Sequence, residues 1–187
     1  MFTLIDSAVE FAAVAHDKQY RKSTNIPYIS HPVAVGFMLQ ALGCSEEVVA
    51  ASILHDVIED TPYTKEGIED KFGKHVANLV EGASEQDKSL SWEERKQHTI
   101  EQLKHASLEL KYVVLGDKIH NLKSIVAAFE QEGEQVWERF KRGKAKQQWY
   151  YQSIYNACKQ TDDEVLSILL HRFDALYKVL FETRKGS

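Results

Sequence analysis

The sequence predicts an all-α protein, a single-domain bundle of about eight to ten helices. Three observations carry that expectation. The prolines are Pro27, Pro32 and Pro62, so residues 63–187 contain none, and only nine glycines serve the whole chain. Sequence so poor in both residues lacks the turn chemistry of a β-sandwich. Apolar residues recur at helical spacing behind Ser, Thr or Asp caps. The β-branched runs that doubly wound and barrel folds place between helices are missing.

The elements follow in order. Residues 3–17 put Leu4, Ala8, Phe11, Ala12 and Ala15 on one helix face, and 18–29 break the period as a loop. Ser30 is expected to cap a helix with Pro32 in its first turn, running to Leu42 and stopped by Gly43. Ser45, before Glu46 and Glu47, caps a helix that stops at Thr61-Pro62. Thr64 starts a short helix to Phe72-Gly73, and another covers about 74–81 before Gly82. Residues 83–90 are polar and expected to be mobile. Ser91-Trp92-Glu93-Glu94 is a capping box for a helix to about Lys104, and Ser107 opens a long one. Gly133 interrupts it. Two further helices are expected at about 134–160 and 162–184, the last capped by Asp162 and serving to pack. No repeat or low-complexity segment divides the chain, so residues 1–187 read as one domain.

Composition narrows the function. With 43% hydrophobic and 27% charged residues the chain is globular, and its net charge is −5. An acidic chain is not built to coat nucleic acid or anionic membrane, so neither is expected as a partner. Cys44 and Cys158 stand far apart, excluding a disulfide framework or a zinc ribbon. The first residues carry Asp6 and Glu10 early and lack a basic start, so they do not read as a signal peptide and a cytoplasmic location is expected.

The segment 46–60 carries the most chemistry. His55-Asp56 are adjacent and Glu59-Asp60 follow one turn later, so a continuous helix places His55 over Glu59 and Asp56 over Asp60. The rest of that helix is apolar and asks to be buried. Ionised carboxylates near a core cost several kcal/mol each unless paired or metal-bound. A solvated acidic helix end is the plain alternative. His31 precedes Pro32, and Asp117 lies among Val113, Val114, Leu115 and Ile119, sharing a face with Asn121. His31, His55, Asp56 and Asp117 offer two nitrogens and two oxygens. With waters, that set suits Mn²⁺, Fe²⁺ or a related ion better than closed zinc. Four unrelated polar residues would be the other explanation.

These motifs resemble the HD superfamily of metal-dependent phosphohydrolases. The strings HDVIED, RKSTNIPYISHP, FGKHVANLVEGAS, DKSLSWEERK and GDKIHNLKS are similar, more closely, to the (p)ppGpp hydrolase domain of RelA/SpoT-type enzymes, above all the small alarmone hydrolases. The resemblance runs from about residue 5 to 158. It implies an HD-type bundle with one Mn²⁺ per chain on His31, His55, Asp56 and Asp117, and Glu59 and Asp60 as the catalytic acidic pair. It implies a small-molecule nucleotide substrate whose 3′-pyrophosphate is removed from (p)ppGpp, giving GDP or GTP. It places Arg21 and Lys22 near the guanine and Asn121 near the ribose. Tyr28 reads equally as a pocket wall or as packing for the next helix. A substrate carrying about five negative charges needs cations. Lys88, Arg95 and Lys96 offer one set, and the basic run from Arg139 to Lys146, with Lys144, another. His16, His75, His98, His105, His120 and His171 fit no ligand set, and His120 is turned about 100° from Asn121 on a helix. The reading admits self-association and a toxin-type synthetase partner. Another nucleotide, such as the 2′-phosphate of NADPH, and a non-catalytic binding module are the competing functions.

Overall fold

The computed structural model describes residues 2–85, 88–159 and 162–182. Its helices are α1 (Leu4–Ala15), α2 (Ser30–Gln40), α3 (Glu46–Leu54), α4 (Val57–Asp60), α5 (Lys65–Phe72), α6 (Lys74–Ala83), α7 (Trp92–Lys104), α8 (Leu108–Glu132), α9 (Gly143–Cys158) and α10 (Glu164–Phe181), with a 3₁₀ segment at Gly133–Arg139. No strand occurs among the described residues, and the one bridge pairs Tyr20 with Pro27 in the first loop. The all-α expectation holds. No described helix is long and apolar enough to cross a membrane.

Local chemistry sets most helix starts. Thr3 and Asp6 form a capping box, as do Ser91 and Glu94. The side chains of Ser45, Thr64 and Ser107 accept from the third backbone N–H of their helices. Each cap is worth about 1 kcal/mol.

The long α8 is the hub. It packs on α10, α2, α3 and α6, and Leu115, Ile119 and Leu122 along it are fully buried. Two glycines let the helices around the site approach closely. A Cβ on Gly36 would stand 2.6 Å from Ile53 Cγ1, and one on Gly116 would stand 2.9 Å from Val35 Cγ1. Thus α2 lies hard against both α3 and α8.

Four expectations are corrected. Ser30 does not cap α2: the chain turns helically one residue earlier, at Ile29 (φ −52°, ψ −26°), and the Ser30 hydroxyl donates to Pro27 O at 2.8 Å. The segment 46–60 is two helices, because Asp56 at φ −95° and ψ −3° leaves the helical minimum and interrupts the ladder. His55 and Asp56 therefore sit at a joint, not in one straight stripe with Glu59 and Asp60. Residues 134–159 are not one helix, and Gln160 of that predicted helix lies outside the described residues. Gly133 (φ +60°) and Gly143 (φ +68°) take left-handed backbone at either end of a 3₁₀ stretch. Asp163, not Asp162, caps α10, accepting from Leu166 N at 2.8 Å. Residues 183 and 184 of that predicted helix, and Gln86 and Asp87 of the polar stretch 83–90, lie outside the described residues.

Candidate active site

Three buried helices deliver the predicted ligand set to one point. His31 comes from the first turn of α2, His55 from the end of α3, Asp56 from the joint and Asp117 from the middle of α8. His31 Nε2 lies 3.1 Å from Asp117 Oδ1 and 3.7 Å from Asp56 Oδ2. His55 Nε2 lies 2.9 Å from Asp56 Oδ2 and 3.6 Å from Asp117 Oδ1. Ligand atoms of His31, His55 and Asp117 all fall within 4.8 Å of one another.

These residues fit a divalent ion. Neighbouring donors on an octahedral ion with bonds of about 2.1 Å stand about 3 Å apart. Both Nε2 atoms are buried and make no hydrogen bond among the described residues. Their other nitrogens are engaged. His55 Nδ1–H donates to Ser52 O at 2.7 Å, which leaves Nε2 as a lone pair. His31 Nδ1 lies 2.8 Å from His120 Nδ1. Burial and the neighbouring His31 push the His120 imidazole down to about 4, so it is neutral and can accept. His31 then also turns a lone pair toward the carboxylates.

Electrostatics tell the same story. Burial alone would lower the His55 imidazole, but the Asp56 and Asp117 carboxylates outweigh it and hold it well above the usual range. For His31 burial wins and the imidazole is lowered. Two buried carboxylates here demand positive charge: the Lys118 ammonium stands 2.6 Å from Asp117 Oδ2, and without an ion a proton on His55 supplies the rest.

The acidic pair stands on α4 beside this group. Glu59 Oε2 accepts from Glu85 N at 3.0 Å. Burial pushes the Glu59 carboxyl up. Asp60 is the more open of the two, and burial and the Asp56 charge raise it while Lys88 opposes. The Tyr28 hydroxyl donates to Asp56 Oδ2 at 2.5 Å. Tyr28, His55, Asp56, Glu59, Asp60, Lys96, Asp117 and Asn121 line one polar cavity.

The other predicted contacts divide. Arg21 is not among the cavity residues but donates to one of them, Asn121 Oδ1, at 3.0 Å, while Asn121 Nδ2 donates to Asp117 Oδ1 at 2.5 Å. Lys88 donates to Glu59 O at 2.5 Å. Arg95 and Lys96 both pair with Glu85. Lys22 is turned away, donating to Arg139 O at 2.6 Å. Lys144 is not among the cavity residues and pairs with Glu134 at 2.7 Å.

Several residues of the site escaped sequence reasoning. Lys118 places Nζ 2.6 Å from Asp117 Oδ2. Its signal was its position inside the DKxxN string. Tyr150 lines the cavity from α9, within the aromatic run Trp149-Tyr150-Tyr151. The clasp of Glu85 on Arg95 and Lys96 joins separate elements and leaves no spacing to read. His120 faces His31 because α2 crosses α8 beside Gly116. His16 is buried against the Tyr28 ring at 4.9 Å, with Nδ1 2.8 Å from Gln19 Oε1.

Comparison with known proteins places this geometry. The HD domain family model matches residues 8–145. A Xenopus tropicalis guanosine-3′,5′-bis(diphosphate) 3′-pyrophosphohydrolase, MESH1, is 42% identical over 125 residues, covering 65% of this chain and 69% of that protein. A Haemophilus influenzae protein of the same enzyme name is 39% identical over 117 residues, 59% of this chain but only 17% of that longer protein. Among solved structures, one from Listeria monocytogenes EGD-e shares 42% identity at a TM-score of 0.76, covering 82% of this chain and 99% of that one. A metazoan SpoT ortholog, described as hydrolysing ppGpp, shares 27% identity at a TM-score of 0.78, covering 95% of this chain and 96% of that one. The chain belongs to the HD domain family, and its relatives include proteins named as guanosine-3′,5′-bis(diphosphate) 3′-pyrophosphohydrolases.

Proposed function

We propose that this protein removes the 3′-pyrophosphate of guanosine tetra- or pentaphosphate by hydrolysis, with Mn²⁺ on His31, His55, Asp56 and Asp117. The observation that carries the reading is the pair of unpartnered Nε2 atoms beside two carboxylates, at the edge of a polar cavity that holds a second carboxylate pair. A divalent ion held there lowers the pKa of bound water and offsets phosphoryl charge. The chain's own residues do the rest. Of Glu59 and Asp60, one orients and deprotonates the water and the other protonates the departing 3′ oxygen. The O3′–P bond breaks as the water oxygen bonds to that phosphorus, releasing GDP or GTP and pyrophosphate. Burial raises both carboxyls toward the range where such groups exchange protons near neutral pH. In this reading Arg21 stacks on the base, supported by a guanidinium that already lies 5.7 Å from the Tyr28 ring centroid.

The test is pyrophosphate release from ppGpp with Mn²⁺. Turnover is expected and should vanish with EDTA or in His55→Ala. Metal-loaded protein that leaves ppGpp intact overturns the proposal, and NADPH in the same assay identifies a different nucleotide preference.

A further inference from the structure

One wall of the cavity carries hydrogen-bond donors without acceptors. Tyr150 is 4% exposed and lines the cavity, and its hydroxyl has no hydrogen-bond partner among the described residues. The Lys118 ammonium acts on that hydroxyl electrostatically but can only donate to it. The hydroxyl hydrogen is therefore left without an acceptor. Lys118 commits one N–H to Asp117 Oδ2 and has at least one more to give. The Lys96 ammonium lies 4.8 Å from the Tyr150 ring centroid, and that of Lys118 5.8 Å from the same centroid. Two ammonium groups thus gather on one mostly buried ring, and among the described residues the carboxylates that pair with them are Glu85 and Asp117. Trp92 packs edge-on to Tyr150 at 6.1 Å and holds the ring in place.

A buried donor without an acceptor costs free energy, so such a wall is complementary to a ligand bringing acceptors alone. Phosphoryl oxygens are such acceptors. Asp117 also belongs to the proposed ion site, so engaging an ion there weakens its hold on Lys118 and leaves the wall more positive. We propose that Tyr150, Lys118 and Lys96 form the subsite that holds the pyrophosphate being cut away, next to the reacting phosphorus. Arg21 and Asn121, at another edge, are left to the nucleoside. The assignment rests on the hydrolase reading above.

Inorganic pyrophosphate is the probe, bound to metal-loaded protein at fixed free Mn²⁺. Tyr150→Phe keeps the ring and removes only the hydroxyl. Its pyrophosphate affinity is expected to fall about tenfold, with KM for ppGpp raised and metal content unchanged. Lys118→Met should weaken pyrophosphate binding at least as much. Equal pyrophosphate binding by the parent and both variants overturns the subsite, as does a parent protein that binds none. Pyrophosphate binding that depends on Tyr150, in a protein that leaves ppGpp intact, would instead keep the subsite and sink the hydrolase reading. Turnover of ppGpp with unaltered Tyr150→Phe kinetics would do the reverse.

Discussion

The two walls of the cavity are built differently. The His31, His55, Asp56 and Asp117 wall uses short side chains on packed helices, with the distal nitrogen of each imidazole tied down. The basic wall presents Lys96, backed by Arg95 and Lys88 outside the lining, long side chains held by the carboxylates of Glu85 and Asp60 and the carbonyl of Glu59. The first wall is set before any ligand arrives. The second is held by internal anions standing where a ligand's own charge could replace them. Precise geometry comes from buried backbone, and charge that must be exchanged comes from long side chains on partly open elements.

The sharpest break of this contrast lies in the rigid wall. Asp117→Ala should lose bound metal and reduce pyrophosphate release by about 10³-fold or more, since an ion site missing a ligand loses both affinity and chemistry. Metal content by mass spectrometry alongside the assay checks it. Retained metal and activity would show that Asp117 serves packing alone.

Glu59→Gln should cost about 10²- to 10⁴-fold in turnover while keeping the metal. Because burial raises the Glu59 carboxyl in the folded state, the folded protein holds its proton to higher pH than the unfolded chain does. Its ionised form is therefore a stability cost that grows as pH rises from the ordinary carboxylate range through the raised pKa. The variant should melt no lower than the parent at pH 7, by calorimetry. The parent's kcat/KM should fall on acidification at higher pH than an unperturbed carboxylate would give.

His120→Ala removes the acceptor for His31 Nδ1–H and should weaken metal binding about 10- to 100-fold. His120→Gln, which can still accept, should restore most of it. Identical metal affinity in all three would place His120 outside the rigid wall.

The smallest effect concerns the exchangeable wall. Glu85→Gln should loosen Arg95 and Lys96 and lower KM for ppGpp by about two- to fivefold, most clearly at low salt. An unchanged KM at low salt would mean that the clasp does not compete with substrate.

Sequence reading reached the rigid wall far better than the other. His31, Asp56 and Asp117 are short polar residues on otherwise apolar stretches, and helical periodicity shows such conflicts directly. The capping residues Ser45, Thr64, Ser91 and Ser107 likewise act within a few residues and were legible. Ser30 was not, because the preceding Pro27–Ile29 turn had already started the helix. The joint at Asp56 depends on one ψ near zero, which no spacing reveals. Tyr150 and Glu85 took their roles from tertiary contact. A tyrosine in an aromatic run looks like core until the cavity beside it is known.

The glycines at 36 and 116 set a manufacturing tolerance for the rigid wall. The span from His31 to Asp117 is the gap between two helices whose separation is limited by a missing methyl group: the Cβ that Gly116 lacks would stand 2.9 Å from Val35. Gly116→Ala would act as a shim a few tenths of an ångström thick, inserted one residue from Asp117. Its damage would be read first in the donor spacing and only later in the melting temperature, so the protein's calibration is more fragile than its fold.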